Sequence, residues 1–93
     1  MQNWIVEVEA DQMKDGEVYF LAIRPETKTT PYLFAAEGLG GKFCWSQKPG
    51  IANRYEGREE IREHLRKNPN HVAVLVPADA DKRWKARRER RRR

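Results

Sequence analysis

Cysteine is nearly absent from this 93-residue chain, where Cys44 is the only one. A lone cysteine excludes an internal disulfide and fits a reducing compartment, so the expected location is the cytoplasm. With only two histidines beside it, Cys and His alone do not make a closed four-ligand zinc site. Long apolar runs are missing as well. The longest, VYFLAI at residues 18–23, falls far short of the roughly 20 residues that a membrane-spanning helix needs. The opening MQNWIVEVEA alternates apolar and acidic residues, which is not a signal-peptide pattern, and no membrane partner is expected. A phosphate-cradling loop is also lacking. The GLGG at 38–41 has neither the following Lys-Ser/Thr nor the helix start that such a loop requires. No cofactor is expected, and no metal.

What the chain has in excess is positive charge, and it sits in one place. Residues 82–93, KRWKARRERRRR, hold nine Lys or Arg and one Glu, a net of +8. The whole chain is only +5, which leaves ten basic and thirteen acidic side chains, a net of −3, in residues 1–81. The sequence pI of about 9.7 therefore describes the tail and not the body. A basic tail on a mildly acidic body is a different object from a basic domain.

The body carries strand and helix periods in turn. WIVEVEA places Trp4, Val6 and Val8 on one face and Glu7 and Glu9 on the other, a half-buried strand. Lys14-Asp15-Gly16 predicts a tight hairpin into EVYFLAIR. That second run is apolar at both parities, the pattern of a central strand covered on both faces, and Arg24-Pro25 ends it. PYLFAAE and KFCWS form a further hairpin closed by Gly38–Gly41. REEIREHLRK reads as a helix of about three turns stopped at Asn68-Pro69, with Ile61 and Leu65 as its narrow apolar stripe. HVAVLVP is a last buried strand. The expected fold is α+β: a small antiparallel sheet of about five strands with one covering helix, in the order β-β-β-β-α-β. The expected division is a body at 1–78 and an arginine-rich tail at 79–93.

The tail lies after Asp79 and Asp81, either of which suits a helix N-cap. Eight net positive charges in three turns repel, so the tail is expected to be disordered alone and to order on a polyanion. Clustered Arg and Lys release counterions from nucleic acid, and Arg forks match phosphates and guanine edges. An aromatic among them stacks on an unpaired base, which favours RNA over DNA. The competing readings are an anchor on an acidic protein surface and a solvated tail without a specific partner.

The stretch ADKRWKARRER, residues 80–90, resembles the arginine-rich RNA-binding helix of the lambdoid-phage antiterminator N proteins. In that family a small Ala precedes a run of Arg and Lys containing an aromatic, and the helix lies in the major groove of an RNA hairpin. The family carries the motif at the N-terminus of a largely disordered chain, whereas here it follows a folded body. The resemblance implies groove or phosphate contacts for Arg83, Lys85, Arg87, Arg88 and Arg90, with Trp84 packing or stacking. Lys82 and Arg91 complete the expected nucleic-acid-binding set.

The body, read as W-I-V-E-V, Y-F-L-A, W-S and A-x-R-Y-x-x-x-E-E-I followed by a Val-rich strand, is similar to many small proteins of phage and prophage genomes. That resemblance implies a compact accessory protein, often one that binds a host or defence-system component, working in the host cytoplasm. Candidate enzyme residues are thin. Cys44 sits between Phe43 and Trp45 in an apolar strand, and neither His64 nor His71 has a partner that spacing reveals. Tyr32, Phe34, Phe43 and Trp45 are expected to serve the core before any base-stacking role. If the single helix covers one sheet face only, Tyr19, Leu21 and Ile23 leave an apolar partner-binding patch on the other. The expected function is therefore non-enzymatic binding of nucleic acid, RNA foremost, or of a nucleoprotein complex through the tail. The alternative is a protein-directed inhibitor of RNA polymerase, a CRISPR effector or a host enzyme, acting through the body.

Overall fold

The computed structural model describes residues 3–82 and 84. The chain runs through β1 (Glu7–Val8), β2 (Val18–Ile23), β3 (Leu33–Glu37), β4 (Phe43–Ser46), β5 (Tyr55–Glu56), α1 (Glu59–Lys67) and β6 (His71–Leu75). These make one antiparallel sheet in the order β1-β6-β2-β3-β4. β5 pairs with the start of β2, and β3 with its end, on the same side. The α+β class and the single main helix are as the periodicities predict.

β2 is the central strand because its six residues are apolar at both parities. It pairs with β6 from Tyr19↔Leu75 to Ile23↔His71, and Tyr19, Phe20, Leu21 and Ala22 are all buried. Alternation then sends its side chains to two different covers. On one face Tyr19 and Leu21 join Met13, Ala35, Leu65 and Ala73, with Ile61, Trp45 and Tyr55 around them. α1 lies on this face through Leu65 and Ile61, and Arg62 ties it to the preceding loop by donating to the Met13 carbonyl at 2.9 Å. On the other face Phe20 and Ala22 join Phe34, Val72, Val74, Ala80 and Trp84, with Trp4, Ile5 and Tyr32 at the margin.

Four expectations need correction. The loop at Lys14–Gly16 does not close a hairpin between β1 and β2: β1 pairs with β6 instead, because a last Val-rich strand slots between them. Gly16 still takes the positive φ of 85° that the turn needs. Trp4 and Val8 do not share a face. The strand is only Glu7–Val8 and Trp4 lies in a turn ahead of it, outside the alternation, so Trp4 packs with Phe20 and Phe34, Val8 packs with the α1 side, and Val6 stays exposed. β5 is an additional strand of two residues, brought in by Gly57. A Cβ on Gly57 would fall onto the Lys14 carbonyl, so only glycine lets the Gly57 amide reach the Glu17 carbonyl at 3.0 Å. Finally, the packed body does not stop at 78. Residues 80–82 and 84 are helical, starting directly after Asp79, and Ala80 and Trp84 belong to the core. Their spacing of four puts both on one helix side.

Candidate functional site: the root of the basic tail

Among the described residues no α-helix of the body covers the second sheet face, and the structure closes it with Trp84. The indole is 6% exposed. It stands edge-on to Trp4 at 5.6 Å and tilted against Phe20 at 5.6 Å. Trp4 in turn stacks on Phe34 at 5.7 Å, and Phe34 on Tyr32 at 6.4 Å. Gly50 lies beside this side chain: a Cβ there would stand 3.4 Å from the Trp84 Cβ, an ordinary contact distance. Burying an indole to this extent is worth several kcal/mol of apolar transfer, about 25 cal/mol per Å² over roughly 150–250 Å². An ion pair between Arg54 and Asp81 spans the same junction at the surface. Beside it lies an open groove lined by Glu17, Val18, Leu75, Val76 and Pro77.

The expected site residues divide accordingly. Lys82 is exposed on the helical turn. Arg83, Lys85, Arg87, Arg88, Arg90 and Arg91 lie outside the described residues. The expected stacking role of Trp84 does not fit its place in the fold: the indole is buried in the core against Trp4 and Phe20, so it is not open to a base. The partner patch is corrected too. Tyr19 is 1% and Leu21 8% exposed beneath α1, Ile23 is half-buried, and the Tyr19 hydroxyl accepts the Lys14 amide at 2.9 Å. Both faces are covered because the tail's own tryptophan supplies the second cover. The signal is present as the Ala80–Trp84 spacing of four, hidden inside low-complexity charge.

A second grouping is invisible in the sequence. His64 on α1 and His71 at the start of β6 meet with Nε2 and Nδ1 3.0 Å apart and rings stacked at 5.1 Å. His71 also stands edge-on to Trp45 at 5.3 Å. Burial, and then the nearby His64, hold the His71 imidazole below its ordinary pKa. The hydrogen bond between the two ring nitrogens ties α1 to the start of β6. The seven-residue spacing crosses a helix end and a turn, which no linear period reveals. Elsewhere, Tyr32 donates its hydroxyl to Glu7, which also accepts from Arg24 at 2.7 Å. Burial first, and then Glu7, push the Tyr32 phenol up to about 12. Cys44 is half-buried on the Trp84 side of the sheet. Among the described residues no three His, Cys, Asp or Glu side chains converge as a metal-ligand set. Among them, too, no helix is long and apolar enough to cross a membrane.

No protein family, curated protein or solved structure matches the chain.

Proposed function

We propose that the protein is a non-enzymatic binding protein that engages nucleic acid, RNA in preference to DNA, alone or within a nucleoprotein complex, through residues 82–93. The observation that carries this reading is the placement of nine basic residues in the last twelve, on a body of net −3. A polyanion is repelled by such a body and drawn to the tail. The packing of Trp84 supports a division of labour within the tail. Trp84 fixes where the segment starts, and the contacts fall to Lys82, Arg83, Lys85, Arg87, Arg88, Arg90 and Arg91. The resemblance of residues 80–90 to antiterminator RNA-binding helices points the same way. It fits a phage-accessory protein working in a host cytoplasm.

The test is fluorescence anisotropy of a labelled RNA hairpin and a matched DNA duplex, titrated with the full chain at about 50 and about 200 mM salt. The comparison protein replaces Arg87, Arg88, Arg90 and Arg91 with Gln, which spares Trp84. Binding of RNA ahead of DNA is expected. So is an affinity that falls steeply with salt in the wild type, and a slope that flattens by roughly 0.7–0.9 for each phosphate the variant no longer neutralises. Equal affinity for wild type and variant contradicts the proposal.

A further inference from the structure

β4 ends the sheet on its side, and among the described residues nothing pairs with its outer edge. The hairpin decides which backbone groups face outward. The Gly38 amide donates to the Lys42 carbonyl at 2.7 Å, and antiparallel pairing alternates from that bond. Cys44 and Ser46 therefore exchange hydrogen bonds with β3, while Phe43 and Trp45 turn their N–H and C=O groups to the open side. The apolar surface beside this edge is exposed as well. Phe43 is 59% accessible with its ring edge-on to Trp45 at 5.3 Å, and Leu39 in the adjoining turn is 98% accessible.

The two edges of the sheet are treated differently. β1 is two residues long, and Arg24 bridges Glu7 and Glu9 across it, the short and charged form that discourages further pairing. β4 is longer and is bracketed by Lys42 and Lys48, both exposed and neither in an ion pair among the described residues. Those lysines choose the occupant. A second copy pairing antiparallel about Trp45 would set Lys42 against Lys48 at both ends, like charge against like. The arginine-rich segment of the chain itself is disfavoured on the same ground. An acidic strand meets complementary charge at each end.

We propose that the outer edge of β4 is the docking site for an extended acidic segment of a partner protein. The segment adds to the sheet as one more strand, sets apolar side chains against Phe43 and Trp45, and places carboxylates at Lys42 and Lys48. Main-chain hydrogen bonds supply affinity in this mode, and the alternate side chains supply specificity. The site is separate from the tail and goes beyond the nucleic-acid reading, so that one molecule can hold a nucleic acid and a protein together.

The probe is a fluorescein-labelled peptide of alternating Val and Glu, titrated with the full chain at about 0.15 M salt. Comparison peptides carry Lys in place of Glu, or N-methyl groups on one or the other alternating set of amides. The protein variants are Phe43→Pro and the pair Lys42→Glu with Lys48→Glu. Proline at position 43 removes no ladder bond, and Lys42 already has the extended φ of −75° and ψ of 136° that a residue before proline requires. We expect at least tenfold weaker binding for the Lys peptide, for one of the two N-methylated peptides, and for each protein variant. RNA binding by Phe43→Pro should stay at the wild-type level. Equal binding of both N-methylated peptides overturns the proposal by assigning the attraction to the tail. Absence of binding, or a chain dimer that the lysine reversals strengthen, overturns it too. The peptide arms decide the matter even if Phe43→Pro fails to fold.

Discussion

The two faces of the sheet are closed in different ways. On one, α1 is held by Leu65 and Ile61 beneath it and by Arg62 and Arg66 reaching Asp15 and Asp11 at 2.8 and 3.2 Å. On the other, among the described residues, the body offers no α-helix, and two tryptophans from opposite parts of the chain, Trp4 and Trp84, meet over Phe20 and Phe34. The first cover is an amphipathic helix with redundant surface ties. The second depends on one indole at the point where the body gives way to the arginine-rich segment. The lesson is that the basic tail is not an appendage: its first turn completes the fold.

Breaking the second cover should have the largest effect. Trp84→Ala removes a buried indole and is expected to cost about 3–5 kcal/mol. That is a large share of the total for a domain of this size. It should appear as a drop in the urea midpoint and a loss of the tertiary circular-dichroism signal from the aromatic cluster. On the first face Leu65→Ala should cost less, about 2–3 kcal/mol. The side chain is smaller, and Ile61 and Tyr55 remain beside it. A cost for Leu65→Ala equal to or above that for Trp84→Ala would break the comparison.

The pH dependence of the α1 side gives a smaller effect. His71 in the folded state holds its proton less tightly than the unfolded chain, whose imidazole titrates near 6.5. As pH falls through that value the unfolded state takes up the proton first, so stability declines, and the decline levels off below the folded-state pKa. Urea midpoints at pH 7.5 and 5.5 should therefore differ, with the lower value at 5.5. His71→Phe, which keeps a ring against Trp45, should shrink the difference.

How much of this is legible in the sequence depends on the kind of signal. The runs at 18–23, 33–37, 43–46 and 71–75 and the helix at 59–67 follow from alternation, from Ile61 and Leu65 four apart, and from Gly and Pro punctuation. Pairing partners are not encoded locally. Lys14-Asp15-Gly16 looks like a hairpin turn whether β2 or β6 lies beside β1, and only the competition for Val72–Val74 decides it. β5 is two residues whose place depends on the close approach at Gly57, which no period shows. Trp84 reads as part of a charge run because composition there swamps spacing. The partner patch at Tyr19, Leu21 and Ile23 follows from counting one cover for two faces. The His64–His71 contact joins a helix end to a strand start, a relation that only the fold creates.

The most direct measurement compares two shortened chains, 1–81 and 1–84, by urea unfolding alongside the full protein. Chain 1–84, which keeps Trp84, should unfold near the wild-type midpoint. Chain 1–81, which loses Trp84, should be destabilised by about 3–5 kcal/mol. Equal midpoints for 1–81 and 1–84 would mean that the indole does not close the second face, and the tail would again be an appendage to an independent body.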